Sequence, residues 1–512
     1  MIRIEGLLRS GFLTASWNYD DAVFLGSSIR LLGGVLPYRD FVLIVPPGAT
    51  LLLTPFAALS RLAGAETSLV AARATMPFVS GANVVLLGLL LRRRSPLVVL
   101  VAGSALAFYN PDSILTALTV MLEPFLDLFC LLGAVLLFDG DSFTGSRPRL
   151  VLGGVAFGVA GAVKVWAILP VAVLGLLFLP RLRSRLIPFV TGTAAGFLVL
   201  CGPFLIAAPR SFIDQVVLAQ LSRNGGAAVS RVVRLEFLSG VWPQITTGPQ
   251  TPHLLLFTGA VCAALVVFIG LAFLFVPRAV RAARGPADPA VALLRTTDLE
   301  RFALLAAVVV LAALLWPPEF WYHYPAFFAP FLALVLALAA GRIADVRPLP
   351  GVVAVAVVLV LSALHAAAIP ASLPVITGTS AQIAKVDALV PAGSCVLTDD
   401  PEFTIEVNRF TARSTNCPQV VDSFGTTTTL SQNRTSPSGT AKAASLWLTY
   451  FSHAQYLMLS QASSVRFVWT PALERYVYRH FVLLTQSPWM ILKRTATVVT
   501  GPPSYHVPPP LP

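Results

Sequence analysis

Two adjacent carboxylates, Asp20 and Asp21, stand in a stretch of unusual punctuation. The run reads Trp17-Asn18-Tyr19-Asp20-Asp21-Ala22 and continues as a short amphipathic segment over 23–32. It stops at Gly33-Gly34, turns through Pro37-Tyr38-Arg39-Asp40-Phe41 and ends at Pro46-Pro47-Gly48, after which the chain is very apolar. A carboxylate beside a bilayer is expensive unless it is paired or put to work. Taking the proton from a hydroxyl late in a group transfer is such work. The same pair could instead cap a helix starting near Ala22. Arg39 could reach a phosphate, or pair with its neighbour Asp40.

Other residues of the same kind are scattered downstream. Lys164 sits between two apolar runs in Gly158-Val-Ala-Gly-Ala-Val-Lys164-Val-Trp166. A lysine there either binds an anion or snorkels to the interface as an anchor. Glu123 and Asp127 lie one turn apart in an apolar stretch, where a buried polar contact competes with a functional role. Glu319-Phe-Trp321-Tyr322-His323-Tyr324-Pro325 combines an aromatic belt with hydrogen-bond donors for a phosphate or sugar. Asp139-Gly140-Asp141 has the form of a metal-binding DxD but reads as a turn, because its short loop leaves no room for a nucleotide domain. Asp399-Asp400-Pro401-Glu402 could hold a divalent cation (magnesium, manganese or calcium), or be an acidic turn. No Walker loop, dinucleotide fingerprint or Cys/His metal spacing is present.

The elements that must position these residues are membrane helices. The chain is 56% hydrophobic and only 12% charged, with a mean hydropathy of +0.78, far from the roughly one-quarter charge of a soluble domain. Its net charge of +12 is not a nucleic-acid footprint. The arginines cluster between apolar runs at 92–94, 181–185, 278–284 and 342–347, as the positive-inside rule requires. Runs long enough to cross are 68–91, 113–138, 186–207, 254–276 and 351–369, with shorter ones at 96–108, 302–316 and 325–340. Arginines flank 150–179 on both sides, so that stretch must cross twice, with its break near Lys164. The same parity separates 96–108 from 113–138. Ten crossings result, and 51–63 reads as a juxtamembrane helix at the outer interface.

Beyond Pro370 the chain turns polar. Strand-like runs at 394–397 and 465–469 and helical stretches at 443–459 and 473–480 predict a small α/β domain over 371–512, with a Pro-rich tail at 502–512. The crossing count puts this domain outside the cytosol. There Cys395 and Cys417, the two cysteines in polar sequence, are expected to oxidise to a disulfide.

The block around Asp20 resembles the first extracytoplasmic loop of GT-C glycosyltransferases. These multi-pass enzymes use polyprenyl-phosphate sugars and include protein O-mannosyltransferases, aminoarabinose transferases and actinobacterial mannosyl- and arabinofuranosyltransferases. The resemblance covers about residues 17–370. It implies an α-helical polytopic membrane domain over 1–370, with 17–63 as the first extracytoplasmic loop and 371–512 as a separate domain. It makes Asp20 the catalytic base and Asp21 its neighbour. Lys164 resembles the family's recurrent lysine at the outer ends of two short helices, a donor-phosphate ligand, and 319–325 is similar to its aromatic, His/Tyr-bearing motif. Arg39, Tyr322, His323 and Tyr324 join the donor site, with Tyr38, Asp40 and Glu123 as weaker members. Lys164 and the 322–324 cluster are expected to converge near Asp20.

The family also places a membrane helix just before the acidic pair. Residues 1–16 are too short and too polar for one, so either the true start lies upstream, the favoured expectation, or this protein lacks that helix. The implied reaction moves a sugar, mannose favoured over arabinofuranose, to a glycan, lipid or protein acceptor outside the plasma membrane, with inversion at the anomeric carbon. The Ala/Val/Leu/Arg/Pro-rich composition suits a high-GC actinobacterium. A lipid or solute transporter is the competing class, although the halves show no inverted symmetry. A non-catalytic envelope-assembly protein is the third.

Overall fold

The computed structural model describes residues 11–14, 16, 18–108, 111–221, 229–240, 252–275, 296–317, 319–346, 356, 360, 380–430, 437–460, 466–487, 489–501 and 504–507. Trp17, residues 1–10 and all but 356 and 360 of the expected crossing at 351–369 lie outside them. Along the chain come α1 (Tyr19–Leu32), two short helices (Gly48–Leu52 and Thr54–Ala63) and α2 (Ala65–Leu90). After helix Pro96–Phe108 follow α3 (Leu122–Leu137), a hairpin of β1 (Phe138–Asp139) and β2 (Ser142–Phe143), α4 (Arg147–Val163), α5 (Ile168–Phe178) and α6 (Ile187–Ala207). Helix Pro252–Gly270, α7 (Asp298–Leu315) and α8 (Tyr324–Val346) lead to the polar region. That region holds β3 (Val396–Thr398), α9 (Pro401–Glu406), α10 (Ser423–Leu430), α11 (Pro437–His453), β4 (Tyr456–Leu459), α12 (Pro471–His480), β5 (Phe481–Thr485) and β6 (Met490–Arg494).

The protein is mostly helical. Among the described residues four segments are long and apolar enough to cross a membrane: Ala65–Leu90, Val165–Ala207, Leu256–Phe273 and Tyr324–Ala344. The second spans 43 residues, twice the length a single crossing needs. Large apolar side chains such as Val199, Ile206, Leu256 and Val266 are exposed, a surface that suits lipid and not water. The run 113–138 is not one helix. The α-helix stops at Thr116 and restarts at Leu122, with Pro124 in the first turn of α3, where its missing N–H costs nothing.

The chain divides into two compact units. One comprises Met1–Gly6, Met76–Leu200 and Ala227–Pro374. Its packing depends on close backbone approach between α4 and α6. A Cβ on Gly154 or Gly158 would stand 2.2 Å from the carbonyl oxygens of Phe189 or Thr193, and one on Gly192 would stand 2.1 Å from that of Val151. Two glycines four residues apart on each helix let the backbones touch where lipid offers no hydrophobic drive. Asp139-Gly140-Asp141 is the turn of the β1–β2 hairpin, with Gly140 at φ 65°. Its carboxylates pair with Arg93 and Arg94. Beside them Arg342 grips Glu300 with two bonds of 3.0 and 2.8 Å.

The other unit comprises Leu7–Thr75, Cys201–Gly226 and Val375–Pro512. A boundary at 370 would group residues 17–63 with the membrane helices. By its packing that loop belongs instead with the polar region, because α1 lies against α9. The sheet order is β3-β4-β6-β5, with β3 and β4 parallel and the other pairs antiparallel. The parallel pair needs a long crossover, and α9, α10 and α11 form it. Alternation along β4 sends Leu457 and Leu459 into one core with Trp447 and Phe451, and Tyr456 and Met458 into another with Val386 and Phe403.

Here the expected boundaries shift. The helix predicted over 443–459 ends at His453, and its last residues are strand β4. The run predicted as a strand over 465–469 is irregular from 466 on, with Phe467, Val468 and Trp469 all buried in the first core. A half-exposed strand would alternate instead. Cys395 and Cys417 form a disulfide with Cα atoms 5.5 Å apart.

Candidate active site

The loop carrying the acidic pair is held from both ends. Asn18 caps α1, its side chain accepting from the Asp20 N–H at 3.1 Å, and Asp20 and Asp21 sit in the first turn, where the helix dipole favours negative charge. At the far end Gly34 adopts φ 81° and Tyr38 φ 68°, a conformation strained for a bulky residue. Tyr38 is held there by its N–H to the Phe41 carbonyl at 2.9 Å and its hydroxyl to the Val45 carbonyl at 2.7 Å. Its buried ring meets Phe212 edge-on. Arg39 and Asp40 pair with each other at 2.8 Å on the exposed side of this turn.

The two acids of the pair differ sharply. Asp21 is fully buried and bonded to Arg73 Nε at 2.8 Å. Arg73, itself fully buried in α2, also donates to the Leu13 carbonyl at 3.0 Å and to Glu402. Glu402 Oε2 in turn accepts from the Asn18 N–H at 2.8 Å and the Ser16 hydroxyl at 3.2 Å. One buried arginine thus pairs with two carboxyl groups and ties the head of α1 to α9. Asp20 is half-buried, and its carboxylate makes no hydrogen bond or ion pair among the described residues.

Around this head lies a second set of charges. Arg466 stands 4.1 Å over the Tyr19 ring and donates to Asp400 at 2.6 Å. The Tyr19 hydroxyl donates to Asp422 at 2.8 Å and accepts from the Phe424 N–H at 3.0 Å. Asp400 caps α9, and Asp399 accepts from Ser460 N–H at 2.9 Å. The acidic turn at 399–402 is therefore fully engaged by protein donors. Burial pushes Asp399 up to about 6, opposed by Ser460 and Arg466. It raises Asp400 as well, and the charge of Asp20 adds to that shift. Glu406, one turn beyond Glu402, is pushed up to about 10 by burial and the nearby Glu402 charge. Its Oε1 has no hydrogen-bond partner among the described residues.

In the other unit the sequence candidates gather at breaks between helices. The chain is extended at Lys164 (φ −149°, ψ 131°) between α4 and the turn that leads into α5. Lys164 Nζ lies 2.5 Å from Glu123 Oε1, in the first turn of α3. His323 Nδ1, just before α8, lies 2.7 Å from the same oxygen. The ammonium rests 3.9 Å over the Trp166 ring and 5.0 Å from that of Tyr324. Tyr322 is half-buried beside His323.

Lys164, Glu123, His323 and Tyr324 thus belong to one unit, and Asp20, Asp21, Tyr38, Arg39 and Asp40 to the other. Arg73 and Arg466 escaped the sequence reading, and Asp400 and Glu402 entered it only as part of a turn that could hold a cation, not as partners of Arg466 and Arg73. Arg73 had a signal, a lone cation inside an apolar helix. Arg466 had none. Among the described residues no group of three or more His, Cys, Asp or Glu side chains could hold a metal ion.

No protein-family model matches the chain, and no curated protein matches it. Solved structures do. ArnT from Cupriavidus metallidurans bound to undecaprenyl phosphate superposes with a TM-score of 0.55 at 14% identity, covering 97% of each chain. Its apo state gives 0.54 at 14% identity over 94% of each. The chain shares the fold of these ArnT structures. At this identity the likeness is one of architecture, and what the site does has to be argued from its own residues.

Proposed function

We propose that the chain is an integral-membrane glycosyltransferase of GT-C type, moving a sugar from a polyprenyl-phosphate donor to a cell-envelope acceptor on the extracytoplasmic face. The observation that carries the reading is the division of labour at the head of α1. Asp21 is neutralised by Arg73 while Asp20, on a backbone fixed by Asn18, Glu402 and Arg73, keeps an uncommitted carboxylate. The GT-C fold and the ArnT structure with undecaprenyl phosphate support the lipid-linked donor.

In the proposed step Asp20 takes the proton of the acceptor hydroxyl as its oxygen bonds to the anomeric carbon. The carbon–oxygen bond to phosphate breaks on the opposite face, so configuration inverts and the polyprenyl phosphate leaves with the electron pair. A phosphate needs no proton to depart; it needs its charge held. Lys164 and His323 are proposed to hold it, with Tyr322 and Tyr324 beside them. Arg39 and Asp40 pair with each other, and the proposed step assigns the phosphate to Lys164 and His323 instead. The turn at 399–402 is taken up by protein donors and is not proposed as a cation site.

Membranes carrying the protein, given labelled polyprenyl-phosphate mannose and, separately, polyprenyl-phosphate arabinofuranose, test the reading. Mannose is the expected sugar. Asp20→Asn should abolish transfer and leave donor binding in place; near-normal turnover in that variant refutes the base. Protease added to intact spheroplasts should remove the polar region after 375, and cleavage only after lysis would reverse the proposed sidedness.

A further inference from the structure

Lys164 Nζ and His323 Nδ1 both meet one atom, Glu123 Oε1, at 2.5 and 2.7 Å. The second oxygen, Oε2, is buried and makes no hydrogen bond among the described residues. Two donors are thus focused on a single oxygen of an anion that the protein supplies itself. The members of the cluster are not held alike. Lys164 keeps its place through the faces of Trp166 and Tyr324 as well, contacts that position the ammonium whichever anion it faces.

We propose that Glu123 is an internal stand-in for an anionic ligand, occupying the Lys164–His323 donor pair until a phosphate ester displaces it. This deepens the reading of Lys164 and His323 as phosphate ligands and rests on it. A buried ammonium with no counter-charge is strongly disfavoured, so an anion must stand beside Lys164 whether or not donor is bound. A phosphate meets both donors with separate oxygens, where Glu123 meets them with one. Exchange leaves the aromatic seat and the two donors in place, and only the anion changes. If Glu123 instead orients Lys164 for the ligand, removing its charge would weaken binding. The two roles therefore predict opposite signs.

The experiment uses full-length protein in detergent, titrated with undecaprenyl phosphate and followed by thermal shift and by direct binding. Undecaprenol controls for the lipid tail, and inorganic phosphate separates a free anion from a lipid headgroup. Glu123→Gln keeps the size and removes the charge. It should melt lower than wild type without ligand and bind undecaprenyl phosphate at least about tenfold more tightly, equivalent to about 1.4 kcal/mol. Its melting point should rise further on saturation than that of wild type. Undecaprenol should not distinguish the two proteins, and Glu123→Gln/Lys164→Gln should lose the gain.

Equal or weaker binding by Glu123→Gln, with wild type still binding, overturns the stand-in and leaves the glycosyltransferase reading intact. If wild type fails to bind undecaprenyl phosphate, the phosphate role of Lys164 falls and the stand-in falls with it. Tightening toward inorganic phosphate alone would overturn the lipid-linked ligand. Should Glu123→Gln not fold, Glu123→Asp, one methylene shorter, carries the same comparison: looser pairing should give tighter binding, and unchanged binding refutes the inference.

Discussion

Asp20 and Asp21 are neighbours of the same chemical type, yet their removal should have opposite consequences. Asp21→Asn takes one of two carboxylates from an arginine whose side chain is 0% exposed, as is that of Asp21. Breaking a buried pair by removing one partner costs about 3–5 kcal/mol, because the remaining charge stays desolvated. Arg73 keeps Glu402, so the lower figure applies. In a cooperative unit of 150–250 residues each kcal/mol moves the melting point by roughly 2–4 °C, which gives a drop of about 6–12 °C.

Asp20→Asn removes a half-exposed carboxylate that has no partner among the described residues. A change at such a position stays within about 0.5 kcal/mol, so its melting point should move by less than about 2 °C. Thermal unfolding in detergent, read by tryptophan fluorescence and by retention of a monodisperse peak, compares the two. Transfer measured per folded molecule should vanish in Asp20→Asn and survive in Asp21→Asn. An Asp21→Asn protein as stable as wild type would refute the assignment of Asp21 as a structural counter-ion. An Asp20→Asn protein as unstable as expected for Asp21→Asn would refute the claim that the carboxylate of Asp20 is uncommitted.

Gly158→Leu should prevent α4 and α6 from closing, since even a Cβ would meet the Thr193 carbonyl at 2.2 Å; overpacking costs roughly 1–3 kcal/mol or more, visible as lost yield of monodisperse protein, and wild-type behaviour would contradict the contact. Cys395→Ser with Cys417→Ser should lower stability by about 3 kcal/mol in the chain-entropy model, and thiol labelling of unfolded wild-type protein, with and without reductant, should differ by the two cysteines of that bond. Burial raises Glu406 to about 10 from an ordinary 4.5, so the folded state keeps a proton that the unfolded chain releases, and stability falls as pH climbs through that window. Glu406→Gln removes this penalty and should melt above wild type at pH 9, the gap closing toward pH 5; a gap independent of pH would show that the carboxyl does not stay protonated on folding.

Much was legible from residue order because it follows from local rules. Apolar run length marked the helices around 68–91, 186–207, 254–276 and 325–340, each of which overlaps one of the four membrane-length segments among the described residues. The acidic pair, its Gly-Gly stop and the break at Lys164 could be located for the same reason: each is punctuation that the backbone must obey. Strands β5 and β6 went unseen and 465–469 was misplaced, because short apolar runs without strict alternation do not reveal their secondary structure by periodicity.

What the sequence by itself determined was which segments are apolar, where they break, and that Asp20-Asp21 stands at such a place. Tertiary structure decided what each of these residues is bonded to. That Asp21 is spent on Arg73, 52 positions away, and that Arg73 also holds Glu402, 329 positions away, has no trace in local pattern. Nor does the meeting of Lys164 and His323 on one oxygen of Glu123. Backbone preference acts over a few residues, whereas a buried charge is satisfied by whichever opposite charge the fold brings within about 3 Å. Which acid is free and which is bound is therefore a property of the folded chain.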